Sequence, residues 1–190
     1  MATVMTLRDA VRVSGRRALR VALAFAVLVA TALLVDSALA SGRSETTLQA
    51  LNRQVLAGVN RFRAKHGRAP LHESTALDTS ARRHSLEMGR LGYFGHSSAD
   101  GMQFWQRIRH FYPAHGYSYW SVGENLVWRS PSLDAAEALK LWIASPPHLK
   151  NLLSRQWRQV GVSAVSVAHG SGVYRGAHAI IVTTDFGVRR

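Results

Sequence analysis

The apolar positions of this chain change their spacing along its length. Over most of residues 48–153 they recur every three or four positions, which is typical of one buried helix face. Beyond that point they gather into two short runs, 160–167 and 177–184, which are typical of strands. The HGSG sequence at 169–172 predicts a turn that joins these runs into an antiparallel hairpin. Helices come first and strands last, so the pattern predicts an α+β fold.

Two helices are predicted in the first half of the domain. The first starts at Leu48 and ends before Gly67. The second follows Ser74, whose hydroxyl suits a helix N-cap, and ends within residues 89–92. Four residues of the second helix share its buried face: Leu77, Ala81, His84 and Met88.

The middle of the chain predicts a third helix, a strand and two more helices. The third helix covers residues 102–111, and strand-like residues surround the GEN sequence within 117–128. A fourth helix starts at Pro131. A short fifth helix follows, with Ser145 as its cap and Pro146 in its first turn, where a missing N–H costs nothing. Four residues of the fourth helix are expected to face the core: Leu133, Ala136, Leu139 and Trp142.

The first forty residues differ from the rest. A segment with five arginines precedes an apolar run over 21–35, and the ALA sequence at 38–40 has the small-x-small pattern of a cleavage site. This arrangement predicts a secretory signal peptide over residues 1–40. An uncleaved N-terminal membrane anchor is the alternative. Residues 41–47 are predicted to form a polar linker, and residues 48–190 to form the working domain.

The chain is strongly basic and has no cysteine. It has 24 Lys and Arg residues against 11 Asp and Glu, a formal net charge of +13. An exported basic protein is expected to meet anionic lipid head groups or anionic wall polymers. No nucleic-acid partner is expected, because export removes the usual targets and no reader motif is present. Insertion into a membrane is expected only through an uncleaved leader. The absence of cysteine excludes disulfides and thiol chemistry.

Three polar residues are candidates for a functional site. His96 lies in GHSSADG, Glu124 lies in GEN within an apolar run, and His148 opens the last short helix. A buried carboxylate is costly unless it is paired, and a helix N-terminus favours the neutral imidazole that binds metal or acts as a base. Convergent polar groups beside aromatic segments are typical of a cleft. The His84–Glu87 spacing is interpreted instead as a hydrogen-bonded core histidine.

Five segments occur in a fixed order: VNRFRAKHGRAPL, ARRHSLEMGRLGYFGHSSADG, VGENLVW, LWIASPPHLKNLL and QVGVSAVSV. They resemble the bacterial CAP superfamily of cysteine-rich secretory, antigen 5 and pathogenesis-related proteins, also called SCP-like. The resemblance implies a three-layer α–β–α sandwich with a small, mainly antiparallel central sheet. It also implies a cleft that contains His96, Glu124 and His148, in which the two histidines bind Zn²⁺ or another divalent cation.

The chain departs from the family pattern in two ways. Ser145 stands where many eukaryotic members have a second glutamate, and the name-giving cysteines are missing. Asp100 is the candidate that replaces the missing charge. The expected ligand cleft therefore comprises five residues: His96, Asp100, Glu124, Ser145 and His148.

The expected function is a secreted, non-enzymatic binding module for a lipid, sterol, cell-envelope or protein ligand. The alternative is a metal-dependent peptidase or esterase that uses Glu124 and His148 of the same cleft. Serine hydrolysis through Ser97 or Ser98 ranks last, because no strained elbow or oxyanion signature is present. Four tryptophans are expected to line a groove or pack in the core: Trp105, Trp120, Trp128 and Trp142.

Overall fold

The computed structural model describes residues 46–190. The leader predicted over 1–40 lies outside the described residues, and so does the predicted linker except for its last two residues, which belong to a helix. The leader and its cleavage therefore stay predictions. No helix within 46–190 is long and apolar enough to cross a membrane.

The described part of the chain forms five α-helices in the predicted order. They are α1 (46–65), α2 (Thr75–Leu91), α3 (Phe104–Phe111), α4 (Ala135–Ile143) and α5 (Pro146–Leu153). All four residues predicted for the buried face of α2 are fully buried. This helix ends at Gly92, whose φ of 73° is a left-handed conformation that glycine adopts without strain.

Four strands form one sheet in the described residues. They are β1 (His72–Glu73), β2 (Trp120–Arg129), β3 (Gln159–Val167) and β4 (Ala179–Arg189). Their order in the sheet is β1-β3-β4-β2, and only the pairing of β1 with β3 is parallel. The small, mainly antiparallel sheet is therefore confirmed. Because β4 is the only hydrogen-bonded neighbour of β2, that strand forms an edge of the sheet.

The sheet separates two helical layers, since consecutive strand residues face opposite sides. Val182 of β4 belongs to the apolar core that also contains residues of α1, α4 and α5. The preceding Ile181 packs on the other side with Met88 of α2. The helix α3 lies on this second side, where Ile108 contacts Leu77 of α2. The predicted α–β–α sandwich is confirmed.

The fourth helix begins later than predicted. Asp134, rather than a residue near Pro131, is the N-cap of α4, and its side chain accepts a hydrogen bond from the Glu137 backbone N–H at 2.8 Å. The buried face of the helix changes as a result. Ala138 is buried there, whereas Ala136, which was predicted to face the core, is exposed.

Two smaller expectations also need correction. Ser145 does occupy the N-cap position of α5, but its side chain makes no capping hydrogen bond. The predicted turn at 169–172 is part of a longer connection that contains a 3₁₀ helix, Gly172–Tyr174. The last strand consequently begins at Ala179 and continues to Arg189, beyond the predicted run.

Candidate functional site

Each residue of the GEN sequence has a separate role in the edge strand β2. At Gly123, a Cβ atom would come within 2.9 Å of the Trp157 ring, so a side chain would push the packed ring away. Glu124 points to the opposite face, because side chains alternate along a strand. Asn125 points back toward α5, and its amide donates to the backbone carbonyl of His148 at 3.1 Å. The glycine thus leaves room for the Trp157 ring, and the asparagine holds α5 against β2.

Glu124 is buried, and both of its carboxylate oxygens are bonded. Its side chain is 1% exposed. His96 donates from Nδ1 to Oε1 at 2.7 Å, and Arg107 donates from Nη2 to Oε2. Two donors therefore compensate the cost of burying this charge. The structure brings together His96 and Glu124, as the sequence predicts, and adds Arg107 to them.

Arg107 connects helix α3 to the loop that carries His96. Its Nη1 donates to the His96 carbonyl and to the Ser98 hydroxyl, both at 3.1 Å. The side chain is 4% exposed. A single buried guanidinium therefore positions the loop as well as the Glu124 carboxylate, and it uses the fork geometry that suits arginine for this role.

His148 approaches His96 across the free edge of β2. The centroids of the two rings are 6.5 Å apart, with an angle of 46° between the ring planes. Asn151 fixes α5 at this edge, since its amide donates to the Glu124 carbonyl at 3.0 Å and to the Asn125 side chain at 2.9 Å. Burial and the neighbouring His96 lower the pKa of His148, so its ring is neutral at neutral pH.

An apolar pocket of about 250 Å³ lies beside His148. Phe94, Leu126, Trp128 and Leu141 contribute to its wall. The Trp128 ring, which lines this pocket, also packs edge-on against Tyr174, with the ring centroids 5.0 Å apart. A polar pair and an apolar pocket therefore lie next to each other at one edge of the sheet.

The other three tryptophans that the sequence singled out have different surroundings. Trp142 is a core residue that is 1% exposed, and its Nε1 donates to the Leu126 carbonyl at 3.0 Å. Trp120 is half-buried and donates to the Tyr112 carbonyl at 2.9 Å. Trp105 is 42% exposed. Trp142 also lines the pocket beside His148, so its indole belongs both to the pocket wall and to the apolar core.

Asp100 and Ser145 do not join the His96–Glu124 pair. The Asp100 carboxylate accepts the Met102 backbone N–H at 2.9 Å and so stabilises the exposed turn in which it lies. It borders a separate cavity of about 540 Å³ between α2 and α3. Ser145 remains a helix-start residue, and no hydrogen bond joins its side chain to the rest of the described chain.

His84 is a hydrogen-bonded core histidine, as predicted. It is fully buried, and its Nε2 donates to the Gly95 carbonyl at 2.8 Å. Burial is the main cause that lowers the pKa of His84. Its Nδ1 lies 3.7 Å from the Glu87 carboxylate, which accepts a hydrogen bond from the Tyr93 hydroxyl at 2.9 Å.

Two buried residues of the site were missed by sequence reasoning. Asp185 of β4 pairs with Glu124 in the strand register and is fully buried. An acid inside the apolar run AIIVTTDFGV was the available signal, and it is the same signal that singled out Glu124. Arg107 gave a weaker signal, because an arginine beside Ile108 is equally typical of the exposed side of a short helix.

Comparison with known proteins agrees with this architecture. The sequence model of the CAP family, described as the cysteine-rich secretory protein family, matches residues 56–186. The chain is 30% identical over 120 residues to "Uncharacterized protein YkwD" of Bacillus subtilis. The aligned residues cover 63% of this chain and 44% of YkwD. The chain thus spans less than half the length of this curated relative.

Solved structures show the same fold. An extracellular protein containing an SCP domain from Bacillus anthracis has a TM-score of 0.60 and 25% identity, over 78% of this chain and 43% of its own. An outer surface protein from Borrelia burgdorferi has a TM-score of 0.54 and 17% identity, over 71% and 90% of the two chains. A cysteine-rich secretory protein from Staphylococcus aureus has a TM-score of 0.54 and 15% identity, over 73% and 38%.

The fold and the site together define a class: an α–β–α sandwich whose edge-strand glutamate is hydrogen-bonded to a histidine from the loop between α2 and α3. With a family match over most of the described residues, the chain belongs to the CAP family. Its structural relatives place it with the bacterial SCP-domain proteins.

Proposed function

We propose that this protein is a non-enzymatic binding module of the cell envelope or the extracellular space. Its ligand is amphipathic and lipid-like, and it binds along the free edge of β2. One observation carries the proposal: His148 lines an apolar pocket, and its ring centroid lies 6.5 Å from that of His96. Ligand sites typically combine such an apolar wall with a few placed polar groups.

The polar end of the ligand meets two imidazole rings. His96 uses Nδ1 to donate to Glu124, so in the neutral ring the remaining Nε2 is an acceptor. Its side chain is 51% exposed and therefore accessible. The lowered pKa of His148 keeps that ring neutral at neutral pH. Acceptor nitrogens on imidazole rings favour a ligand group that donates a hydrogen bond, such as a hydroxyl.

The apolar end of the ligand fits the pocket lined by Phe94, Trp128 and Leu141. Its volume of about 250 Å³ is below the roughly 300–1,000 Å³ of sites that enclose a drug-sized molecule. It therefore holds part of an acyl chain or one edge of a sterol, and the rest of the ligand lies along the surface.

The state of Glu124 favours binding over hydrolysis. A general base must reach the proton that it removes, but the Glu124 side chain is 1% exposed and its two oxygens are held by His96 and Arg107. We therefore assign this carboxylate a positioning role toward His96. The hydrolase alternative needs Glu124 to leave both partners before it can act.

Location outside the cytoplasm is part of the proposal. Two similar structures are described as an extracellular protein and an outer surface protein. The predicted leader agrees with them, and the net charge of +13 favours anionic envelope components. A protein partner at the envelope is compatible with the same surface charge.

Mass spectrometry of molecules that co-purify with the protein, followed by titration with a fluorescent fatty acid, tests the proposal. We expect a bound lipid and a saturable signal that Leu141→Trp weakens at least tenfold by filling the pocket. Leu86→Trp is the matched control, because Leu86 is 42% exposed on α2 and remote from the pocket. Absence of both a bound lipid and saturable binding would exclude the lipid-like ligand.

We also propose that a divalent cation such as Zn²⁺ binds between His96 and His148. The Glu124–His96 hydrogen bond is the carboxylate–histidine arrangement that orients metal ligands. The described residues contain no group of three or more His, Asp or Glu side chains placed to hold a metal. The two rings would therefore share the ion with water or with the ligand, which implies weak binding.

Calorimetry with Zn²⁺ tests the metal proposal. Wild type is expected to bind the ion, and either His96→Ala or His148→Ala is expected to abolish binding without unfolding the protein. His66→Ala, in the turn directly after α1, is the control. If wild type gives no heat of binding even with Zn²⁺ in large excess, the two histidines do not form a metal site.

A further inference from the structure

The buried acid Asp185 of β4 is the register partner of Glu124 on the edge strand β2. The two residues face each other in the β2–β4 register, so their side chains lie on the same side. Asp185 is fully buried, and the Glu124 side chain is 1% exposed. Two carboxyl groups therefore occupy one buried layer between the sheet and helices α2 and α3.

Among the described residues, no cation pairs with Asp185. The only buried guanidinium nearby is that of Arg107, which bonds the Glu124 carboxylate, the His96 carbonyl and the Ser98 hydroxyl. The neighbour of Asp185 on β3 is Gly161, which has no side chain. Neither Asp185 oxygen has a conventional donor within hydrogen-bond geometry.

The helix α2 supplies the remaining groups near the two acids. The Ser80 hydroxyl lies near enough to Asp185 to favour its charged form, without reaching standard hydrogen-bond geometry. His84 is neutral, because burial lowers its pKa. The surroundings of Asp185 on β2, β3, α2 and α3 thus contain one anion, Glu124, and one cation that is already bonded to it.

An ionised Asp185 would be an unpaired buried charge next to a second anion, which is strongly unfavourable. Burial, and secondly the charge of Glu124, raise the pKa of Asp185 well above its ordinary value. A contact between two carboxyl groups becomes a hydrogen bond when one of them keeps its proton. The lack of other donors to Asp185 then has a physical explanation.

We propose that Asp185 is an uncharged carboxylic acid in the folded protein and that its O–H donates a hydrogen bond to the Glu124 carboxylate. Asp185 is therefore a positioning residue. It leaves one negative charge in the site, shared by Arg107 and His96, and it fixes the carboxylate from a third direction. This inference concerns the free protein and does not rest on the proposed lipid-like ligand.

Infrared spectroscopy of the full chain, with carbon-13 in the aspartate side-chain carboxyls, tests the proposal directly. At about pH 8, roughly four units above the ordinary Asp pKa, exposed aspartates are ionised. We expect a C=O band of a protonated acid that shifts with the label and is absent in Asp185→Asn. The absence of a label-sensitive band of this kind from the folded wild type would overturn the proposal. This measurement on the wild type decides the question even if the variant does not fold.

The pH dependence of unfolding provides a second test. If native Asp185 keeps its proton while the unfolded chain loses it, stability falls as pH rises above about 4, the ordinary Asp value. The unfolding equilibrium constant of wild type relative to Asp185→Asn should increase about tenfold per pH unit up to the native pKa. Asp100→Asn, at an exposed turn, should show no such slope. A flat ratio for Asp185→Asn means that native Asp185 is ionised, which contradicts the proposal.

Discussion

The two faces of the sheet are built on different principles. The face that packs against α1, α4 and α5 carries one large apolar cluster. The face that packs against α2 and α3 has two smaller apolar clusters, with a layer of buried polar side chains between them. Its buried polar residues include Ser85, Arg107, Glu124, Thr183 and Asp185. The first face mainly stabilises the fold, whereas the second positions the groups of the candidate site.

Two buried arginines make the contrast concrete. Arg63 of α1 is 1% exposed, and it donates to the backbone carbonyls of Ala69, Leu152 and Ser154 at 2.7–3.0 Å. No carboxylate pairs with it among the described ion pairs. Arg107 instead bonds Glu124. The same residue type therefore joins backbone segments on one face and balances a buried acid on the other.

The largest loss of stability is expected from the apolar face. Trp142→Ala removes a side chain that is 1% exposed and also deletes a hydrogen bond to the Leu126 carbonyl. We expect the free energy of unfolding to fall by about 3–5 kcal/mol, the usual cost of truncating a buried aromatic residue. Chemical denaturation measures the change. Trp105→Ala is the control, because Trp105 is 42% exposed, and an equal loss in both variants would contradict the assigned core.

A smaller loss, with a distinctive rescue, is expected on the polar face. Arg107→Met leaves the buried Glu124 carboxylate without its cation, which typically costs about 3 kcal/mol. Adding Glu124→Gln removes the uncompensated charge, so the double variant should regain much of the stability. Denaturation of the single and double variants measures this coupling energy.

The same cycle sharpens the comparison between the two arginines. Arg63→Met should destabilise the protein by leaving backbone carbonyls without donors, and Glu124→Gln should not rescue it. Strictly additive effects of Arg107→Met and Glu124→Gln would mean that the two side chains are not coupled in solution, and the distinction between the faces would then fail.

The apolar face was largely predictable from the sequence, because its signals are local. Helical spacing and one capping position are enough to locate α1 and the buried side of α2. The start of α4 was misplaced, because Pro131 and Asp134 both suit a helix start and only Asp134 caps the observed helix. The resulting error moved the expected core contact from Ala138 to Ala136.

The polar face was only partly predictable, because its contacts join residues that are distant in sequence. His96, Glu124 and His148 carried local signals and the family resemblance. Asp185 meets Glu124 only through the β2–β4 register, and Arg107 meets it only through the packing of α3. Neither of these two contacts with Glu124 can be predicted from the spacing of residues along the chain. A buried acid within an apolar strand predicts that a partner exists, but it does not identify the partner.

The smallest expected effect concerns the edge where the two faces meet. Burial first, and then the neighbouring His96, lower the pKa of His148. Below about pH 6.5 the unfolded chain therefore binds more protons than the native state at this residue, and acid reduces stability. His96→Asn removes the secondary cause, so the native His148 pKa should rise but stay below its ordinary value. Titration by NMR measures both values, with His66→Asn in the turn after α1 as the control. An unchanged His148 pKa in His96→Asn would mean that the two rings do not interact across β2. The two histidines would then not form a shared polar end of the proposed ligand site.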